Sequence, residues 1–145
     1  ISLPCGQFGT PFIEQLFTGR LDCDVDRSFA DLKGLEVSAH FLIKRSGQLI
    51  QFVSVDKRAW HAGVSSFEGV ENCNNYSIGI ELEGTDDEPF EAIQYQKLID
   101  LTKDLMRHYP ITLSRIVGHS DIAPSRKTDP GPYFDWHHYK DALEG

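Results

Sequence analysis

Tyr76-Ser77-Ile78-Gly79-Ile80-Glu81-Leu82-Glu83 is the stretch on which the fold turns. Its apolar residues, Ile78, Ile80 and Leu82, alternate with Ser77, Gly79, Glu81 and Glu83, the period of two that a strand imposes when its faces meet different surroundings. The small residues beside Glu81 predict room for a ligand above that carboxylate. Upstream, Phe41-Leu42-Ile43-Lys44 and Leu49-Ile50-Gln51-Phe52-Val53 are two further β-rich runs. The polar, glycine-bearing connection Arg45-Ser46-Gly47-Gln48 joins them as a hairpin.

Helices bracket these strands. Between Phe90 and Tyr109, the spacing of Ile93, Leu98, Leu101 and Leu105 predicts an amphipathic helix that packs on the sheet and stops at Pro110. Thr10 to Gly19 reads as a short helix with Thr10 as N-cap, Pro11 at the first helical position and a glycine at its end. Ser28 to Lys33 reads as a turn or two more. Asp135 is placed to cap a terminal helix carrying Trp136, Tyr139 and Leu143. Arg115 to His119 reads as a short strand delivering His119 into a loop, and Asp56 to Asn75, without periodicity, as a long functional loop. A single α/β domain over residues 1–145, with a mixed sheet flanked by helices, follows.

Composition narrows the function. The chain has 145 residues, 40% hydrophobic and 25% charged, the size of one core, and its net charge of −8 argues against nucleic acid, whose binding rests on clustered Lys and Arg. No apolar run approaches the ~20 residues that span a bilayer, so no membrane association is expected. Three cysteines without a CxxC pair favour neither a disulfide framework nor a thiolate metal site, which fits a reducing cytoplasm.

The chemistry concentrates in Gly118-His119-Ser120-Asp121-Ile122-Ala123-Pro124-Ser125-Arg126-Lys127-Thr128-Asp129-Pro130-Gly131, whose prolines and glycines exclude an ordinary helix or central strand. His119 and Asp129 can meet at one Zn2+, although two donors fall short of the three protein ligands of a catalytic zinc. The same pair also reads as a turn-capping aspartate and a hydrogen-bonded core histidine. Glu81 is suited to take a proton from a metal-activated water, and Lys127 to stabilise an oxyanion. Trp60 and His61 suit stacking on a sugar or peptide together with a donated hydrogen bond, unless Trp60 is simply a core anchor. Arg58 and Arg126 suit a substrate carboxylate, and nothing in the sequence ranks them. His40 stands just before a strand, equally suited to a ligand or to the interior.

Taken in order, Val37-Ser38-Ala39-His40-Phe41-Leu42-Ile43, Arg58-Ala59-Trp60-His61-Ala62-Gly63, Ile78-Gly79-Ile80-Glu81-Leu82-Glu83-Gly84 and the Gly118–Gly131 loop closely resemble the AmpD-type 1,6-anhydro-N-acetylmuramyl-L-alanine amidases. More widely, they resemble the type-2 amidase and peptidoglycan-recognition family. The resemblance implies zinc-dependent hydrolysis of the amide between an anhydromuramyl lactyl group and L-alanine, during cytoplasmic recycling of cell-wall fragments. It makes His119 and Asp129 zinc ligands, Glu81 the general base and Lys127 the oxyanion partner. Arg58, Trp60, His61 and His40 become the expected substrate contacts, and a small muropeptide bound by a monomer the expected partnership. In the family, the first zinc-binding histidine ends the first strand and is followed by an asparagine and a segment like Ile1-Ser2-Leu3-Pro4. That strand and the third ligand are therefore expected ahead of Ile1, with residues 1–145 an N-terminally truncated domain. The competing readings are a muropeptide-binding module with an incomplete metal site, and a regulatory protein docking on another macromolecule.

Overall fold

A computed structural model describes residues Ile1 to Gly145. Phe41–Ile43 (β1) is apolar at every position because it is the central strand and is buried on both faces. Leu49–Gln51 (β2) pairs with it antiparallel, closing the predicted hairpin, and Ile80–Leu82 (β5) pairs on its other side in parallel, with Leu42 level with Glu81. The sheet is mixed, in the order β2-β1-β5. Ile1 extends the β5 side: its amino group donates to the Leu82 carbonyl, and its carbonyl accepts from Gly84, both at 2.8 Å.

Successive residues of a strand face opposite ways, so β1 feeds two cores. Leu42 packs with Ile13, Leu16 and Phe17 of the first helix, Phe12–Phe17 (α1). Ile43 packs with Phe90, with Leu98 of Ala92–His108 (α2), and with Tyr139 and Leu143 of Trp136–Glu144 (α4). Inside α2 the buried line is Gln94, Leu98, Thr102 and Leu105, whereas Ile93, predicted to face the core, is 37% exposed. Gln94 takes that place because its amide has partners there: it donates to the carbonyls of Ile43 and Glu83 and accepts the Glu91 N–H. A buried amide with its hydrogen bonds made is tolerated inside, and this one fastens the helix across the ends of β1 and β5.

Several expected elements are reshaped. The first helix begins later than Thr10, because the Thr10 hydroxyl donates to the Leu3 carbonyl and Pro11 becomes the cap. Ser28–Lys33 is a 3-10 turn over Arg27–Leu32, started by the Asp26 carboxylate accepting the Ser28 N–H. The Asp56–Asn75 loop holds a small hairpin, Ser66–Phe67 (β3) with Val70–Glu71 (β4), and a 3-10 turn at Cys73–Asn75. Its turn residues Glu68 and Gly69 both have positive φ, the two-residue geometry that suits the strand twist.

Arg115–His119 is not a strand. Leu113–Arg115 forms a 3-10 turn, and the backbone groups a ladder would use go to side chains instead: the Ile116 carbonyl accepts from Lys140 and the Gly118 N–H donates to Asp121. His119 then opens a four-residue helix, His119–Ile122 (α3). The α4 helix starts as expected, with the Asp135 carboxylate accepting the His138 N–H at 2.9 Å. No helix is long and apolar enough to cross a membrane.

Candidate active site

The site forms where β5, α3 and the loop after α3 meet the His61–Val64 segment. His119 and Asp129 are ten residues apart, and three hydrogen bonds bring them together. The Ser120 N–H donates to the Asp129 carbonyl at 2.9 Å, the Gly131 N–H to the Thr128 carbonyl at 2.9 Å, and the Thr128 hydroxyl to the Asp86 carboxylate at 2.5 Å. Gly131, at φ 86°, lies so close to Asp86 that a Cβ there would stand 2.6 Å from its carboxylate oxygen. The loop is thereby pinned to the β5–α2 connection on both sides of Asp129. His119 Nδ1 and Asp129 Oδ2 are 3.2 Å apart, and His119 Nε2 lies 2.8 Å from the Ala62 carbonyl. A carbonyl only accepts, so the imidazole carries a proton on Nε2 and presents Nδ1 toward the carboxylate.

Glu81 projects from β5 beside this pair, partly buried, and its carboxylate accepts no hydrogen bond from the protein. Burial pushes its carboxyl above the usual range and the Asp129 charge pushes the same way, outweighing the positive charges of the Ile1 ammonium, His119 and Lys127. Burial alone would lower the His119 pKa, but the Asp129 carboxylate and the Ala62 carbonyl, which accept hydrogen bonds from the protonated ring, and the nearby carboxylate charges raise it. Burial likewise pushes Asp129 up, yet His119 and Lys127 hold it below the ordinary aspartate value. Lys127 is half-buried and near enough to act on both carboxyls, and it makes no ion pair or hydrogen bond through its ammonium. A free base, a free ammonium and an imidazole–carboxylate pair thus share one locality.

The remaining expected residues divide. His40 is wholly buried: Nε2 donates to the Lys57 carbonyl at 2.7 Å and Nδ1 accepts the Gly79 N–H at 3.0 Å, so neither nitrogen is left for a ligand, and the reading of His40 as a substrate contact is corrected. His61 packs flat over Gly79, where any Cβ would overlap its ring, so the space predicted above the strand is filled by this imidazole. Ser77 gives its hydrogen to the Cys73 carbonyl at 2.6 Å, so its oxygen, 3.3 Å from His61 Nε2, accepts the imidazole proton. The hydrogen bond His61 was expected to donate to a ligand is therefore used internally. Burial, with His40 and His119 nearby, lowers the His61 pKa to about 4 and keeps it neutral.

Trp60 is 48% exposed, so it is not a core anchor, and the Arg58 guanidinium stacks 4.2 Å from its ring centre while donating to Asn75 at 2.7 Å. The two form an open, flat platform beside His61. Glu83 is 1% exposed, and each of its carboxylate oxygens already accepts a backbone N–H, from Gly9 and from Arg45. Residues the sequence did not single out shape the site from behind. Asn74 accepts the His61 and Ala62 N–H groups at 3.0 and 2.8 Å, and Asp86 holds Thr128. Neither has a local signature, because each acts across more than ten residues of chain.

As donors for a metal, His119 Nδ1 and Asp129 Oδ2 have the right chemistry and a common direction. No cluster of three or more His, Cys, Asp or Glu capable of holding an ion occurs in residues 1–145. The pair fits as part of a zinc ligand set.

Comparison with known proteins shows the family. Residues 13–132 match the family model described as N-acetylmuramoyl-L-alanine amidase. The chain is 57% identical over 136 residues to the 1,6-anhydro-N-acetylmuramyl-L-alanine amidase AmpD of Enterobacter cloacae, covering 94% of this chain and 73% of the relative. It superposes on the crystal structure of a selenomethionine AmpD derivative with a TM-score of 0.96 at 52% identity, over 99% of this chain and 80% of the other. The complex of the Escherichia coli N-acetylmuramyl-L-alanine amidase AmiD with anhydro-N-acetylmuramic acid-L-Ala-D-γ-Glu-L-Lys matches with a TM-score of 0.71 at 39% identity, over 81% of this chain and 52% of that one. The chain belongs to the N-acetylmuramoyl-L-alanine amidase family, as an amide hydrolase of its AmpD type.

Proposed function

We propose that this protein hydrolyses the amide between the lactyl group of an N-acetyl-anhydromuramyl sugar and L-alanine in small soluble muropeptides, in a zinc-dependent step of cytoplasmic cell-wall recycling. The observation that carries the reading is the convergence of His119 Nδ1 and Asp129 Oδ2 at 3.2 Å beside a Glu81 carboxylate that accepts no hydrogen bond. His119 and Asp129 would hold the ion. When bound, Zn2+ polarises the scissile carbonyl and lowers the pKa of an attacking water toward ~7. Glu81 takes the proton of that water as the new C–O bond forms, and returns it to the alanine nitrogen as the C–N bond breaks. Its raised pKa suits it to take up the water's proton, since a carboxylate of higher pKa is the stronger base, and the carboxyl so formed carries the proton that the leaving nitrogen needs. Lys127 takes up the negative charge that develops on the carbonyl oxygen, and the absence of any competing acceptor keeps its ammonium available.

Ile1 lies in parallel register with Glu83, next to the strand that carries Glu81. Binding without cleavage is the reading favoured by the two-donor set alone. Incubation with anhydromuramyl-tripeptide, with zinc added and with a chelator, separates the two. Release of a peptide with a free L-alanine amine, abolished by chelation and restored by zinc, is expected. Tight capture of intact muropeptide with no release at saturating zinc would overturn the hydrolytic assignment.

A further inference from the structure

Arg126, one residue before Lys127, is engaged with the facing loop. Its Nη2 donates to the Ala62 carbonyl at 2.6 Å and to the Val64 carbonyl at 3.0 Å. The Ala62 carbonyl has a second donor, His119 Nε2 at 2.8 Å. A peptide oxygen has two lone pairs, and here a side chain of α3 and one of the loop after it fill both. Between the two carbonyls stands Gly63, at φ 63°, where an added Cβ would lie 2.7 Å from Arg126 Nη2. A residue with no side chain and a left-handed backbone is what allows carbonyls 62 and 64 to aim at one guanidinium. Ala62 itself is completely buried and its N–H is held by Asn74, but its carbonyl belongs to the next peptide plane, whose direction is left to Arg126 and His119.

We infer that Arg126 is a positioning residue for His119, fixing the Ala62 carbonyl that keeps the imidazole proton on Nε2 and leaves Nδ1 open to a metal, and is not a ligand for a substrate carboxylate. This rests on the reading of His119 as a zinc ligand. Without the guanidinium, the carbonyl is free to turn away, the imidazole loses the acceptor that selects its tautomer, and Nδ1 competes for the proton. Groups that orient a metal-binding histidine from behind typically contribute about 10–100-fold to metal affinity or activity.

The test uses the whole chain, free of metal, at a pH where the measured His119 ring 15N shifts are those of a neutral imidazole. Long-range 1H–15N spectra of His119 are expected to report the Nε2–H form in the unaltered protein. A mixture of tautomers is expected in Arg126→Ala, and again in Gly63→Ala, which displaces the guanidinium without removing it. Zinc affinity should fall roughly 10–100-fold in both. Arg126→Lys, which keeps a donor at the carbonyl, should recover part of the loss. With muropeptide, Arg126→Ala should lower kcat and leave KM nearly unchanged. An unchanged His119 tautomer and unchanged zinc affinity in Arg126→Ala, or a raised KM with kcat intact, would overturn the assignment. The spectra and the metal titration need no substrate, so an inactive but zinc-binding protein with the expected tautomer shifts would count against the hydrolytic function alone.

Discussion

Glu81 and Glu83 lie two residues apart and point to the same side of the sheet, yet they belong to regions with opposite uses for a carboxylate. Around Glu83, the N-terminal segment and the β1–β2 turn aim two backbone N–H groups, from Gly9 and Arg45, at its oxygens at 3.0 and 2.9 Å, and the side chain is sealed from solvent. Around Glu81, the neighbours are His119, Asp129 and Lys127, and none donates to it. Filled lone pairs turn the first carboxylate into a staple between chain segments. Empty lone pairs in a half-buried place leave the second able to accept a proton. The residue type and the strand position are shared; the donors supplied from elsewhere in the chain decide the role.

The largest effect that would break this comparison is catalytic. Glu81→Gln should lower kcat by about 10²–10⁴-fold with unchanged zinc content and melting temperature, because no hydrogen bond is lost; a near-native rate would remove Glu81 from the chemistry. The reverse pattern is expected next door. Glu83→Ala orphans two N–H groups at roughly 1–3 kcal/mol each, so denaturant titration should show stability falling by several times the thermal energy, while the protein that remains folded keeps its turnover. If stability held and activity vanished, the two roles would have to be exchanged. Lys127→Met should reduce kcat about 10²-fold with little change in KM, measured on the same muropeptide, and a pure KM effect would make Lys127 a binding group.

The smallest effect concerns a second like pair, the imidazoles of His119 and His61, whose pKa values move in opposite directions. His61 stays neutral in the fold down to about 4, whereas in the unfolded chain it titrates near its ordinary value of about 6.5. Between these values the unfolded state binds a proton that the folded state does not. Stability conferred by neutral His61 is therefore complete above the unfolded pKa and is lost as pH falls through the window, with a slope of at most about 1.4 kcal/mol per pH unit. Denaturation of the metal-free protein at steps across the window should show this decline, and His61→Asn should flatten it. Parallel profiles for the two proteins would show that His61 does not hold its neutral form at a cost to acid stability.

Much of the scaffold was legible because strand and helix periods are local. Phe41–Ile43, Leu49–Gln51, the strand under Glu81 and the long helix ending before Pro110 all announce themselves through alternation, capping and apolar spacing. The misreadings share one cause. Ile116 to Gly118 looks like a strand until Lys140 and Asp121 claim its backbone groups, and Ile93 looks like core until Gln94 finds two carbonyls to satisfy its amide. The Ser66–Glu71 hairpin lies inside a segment read as irregular, because its two-residue strands are too short to show a period. His40 was equally suited to ligand or interior on sequence, and only the Lys57 carbonyl and the Gly79 N–H settle it inside.

The sequence by itself determined the mixed sheet, its flanking helices and the inventory of reactive groups, because side-chain chemistry and short-range periodicity are properties of neighbouring residues. Tertiary structure alone decided which of those groups stay free. Glu81 is left without donors while Glu83 receives two, His40 is consumed while His119 keeps Nδ1 open, and Arg126 is turned onto the Ala62 carbonyl. Each outcome depends on partners more than ten residues away, and no local pattern encodes where a distant backbone group will point.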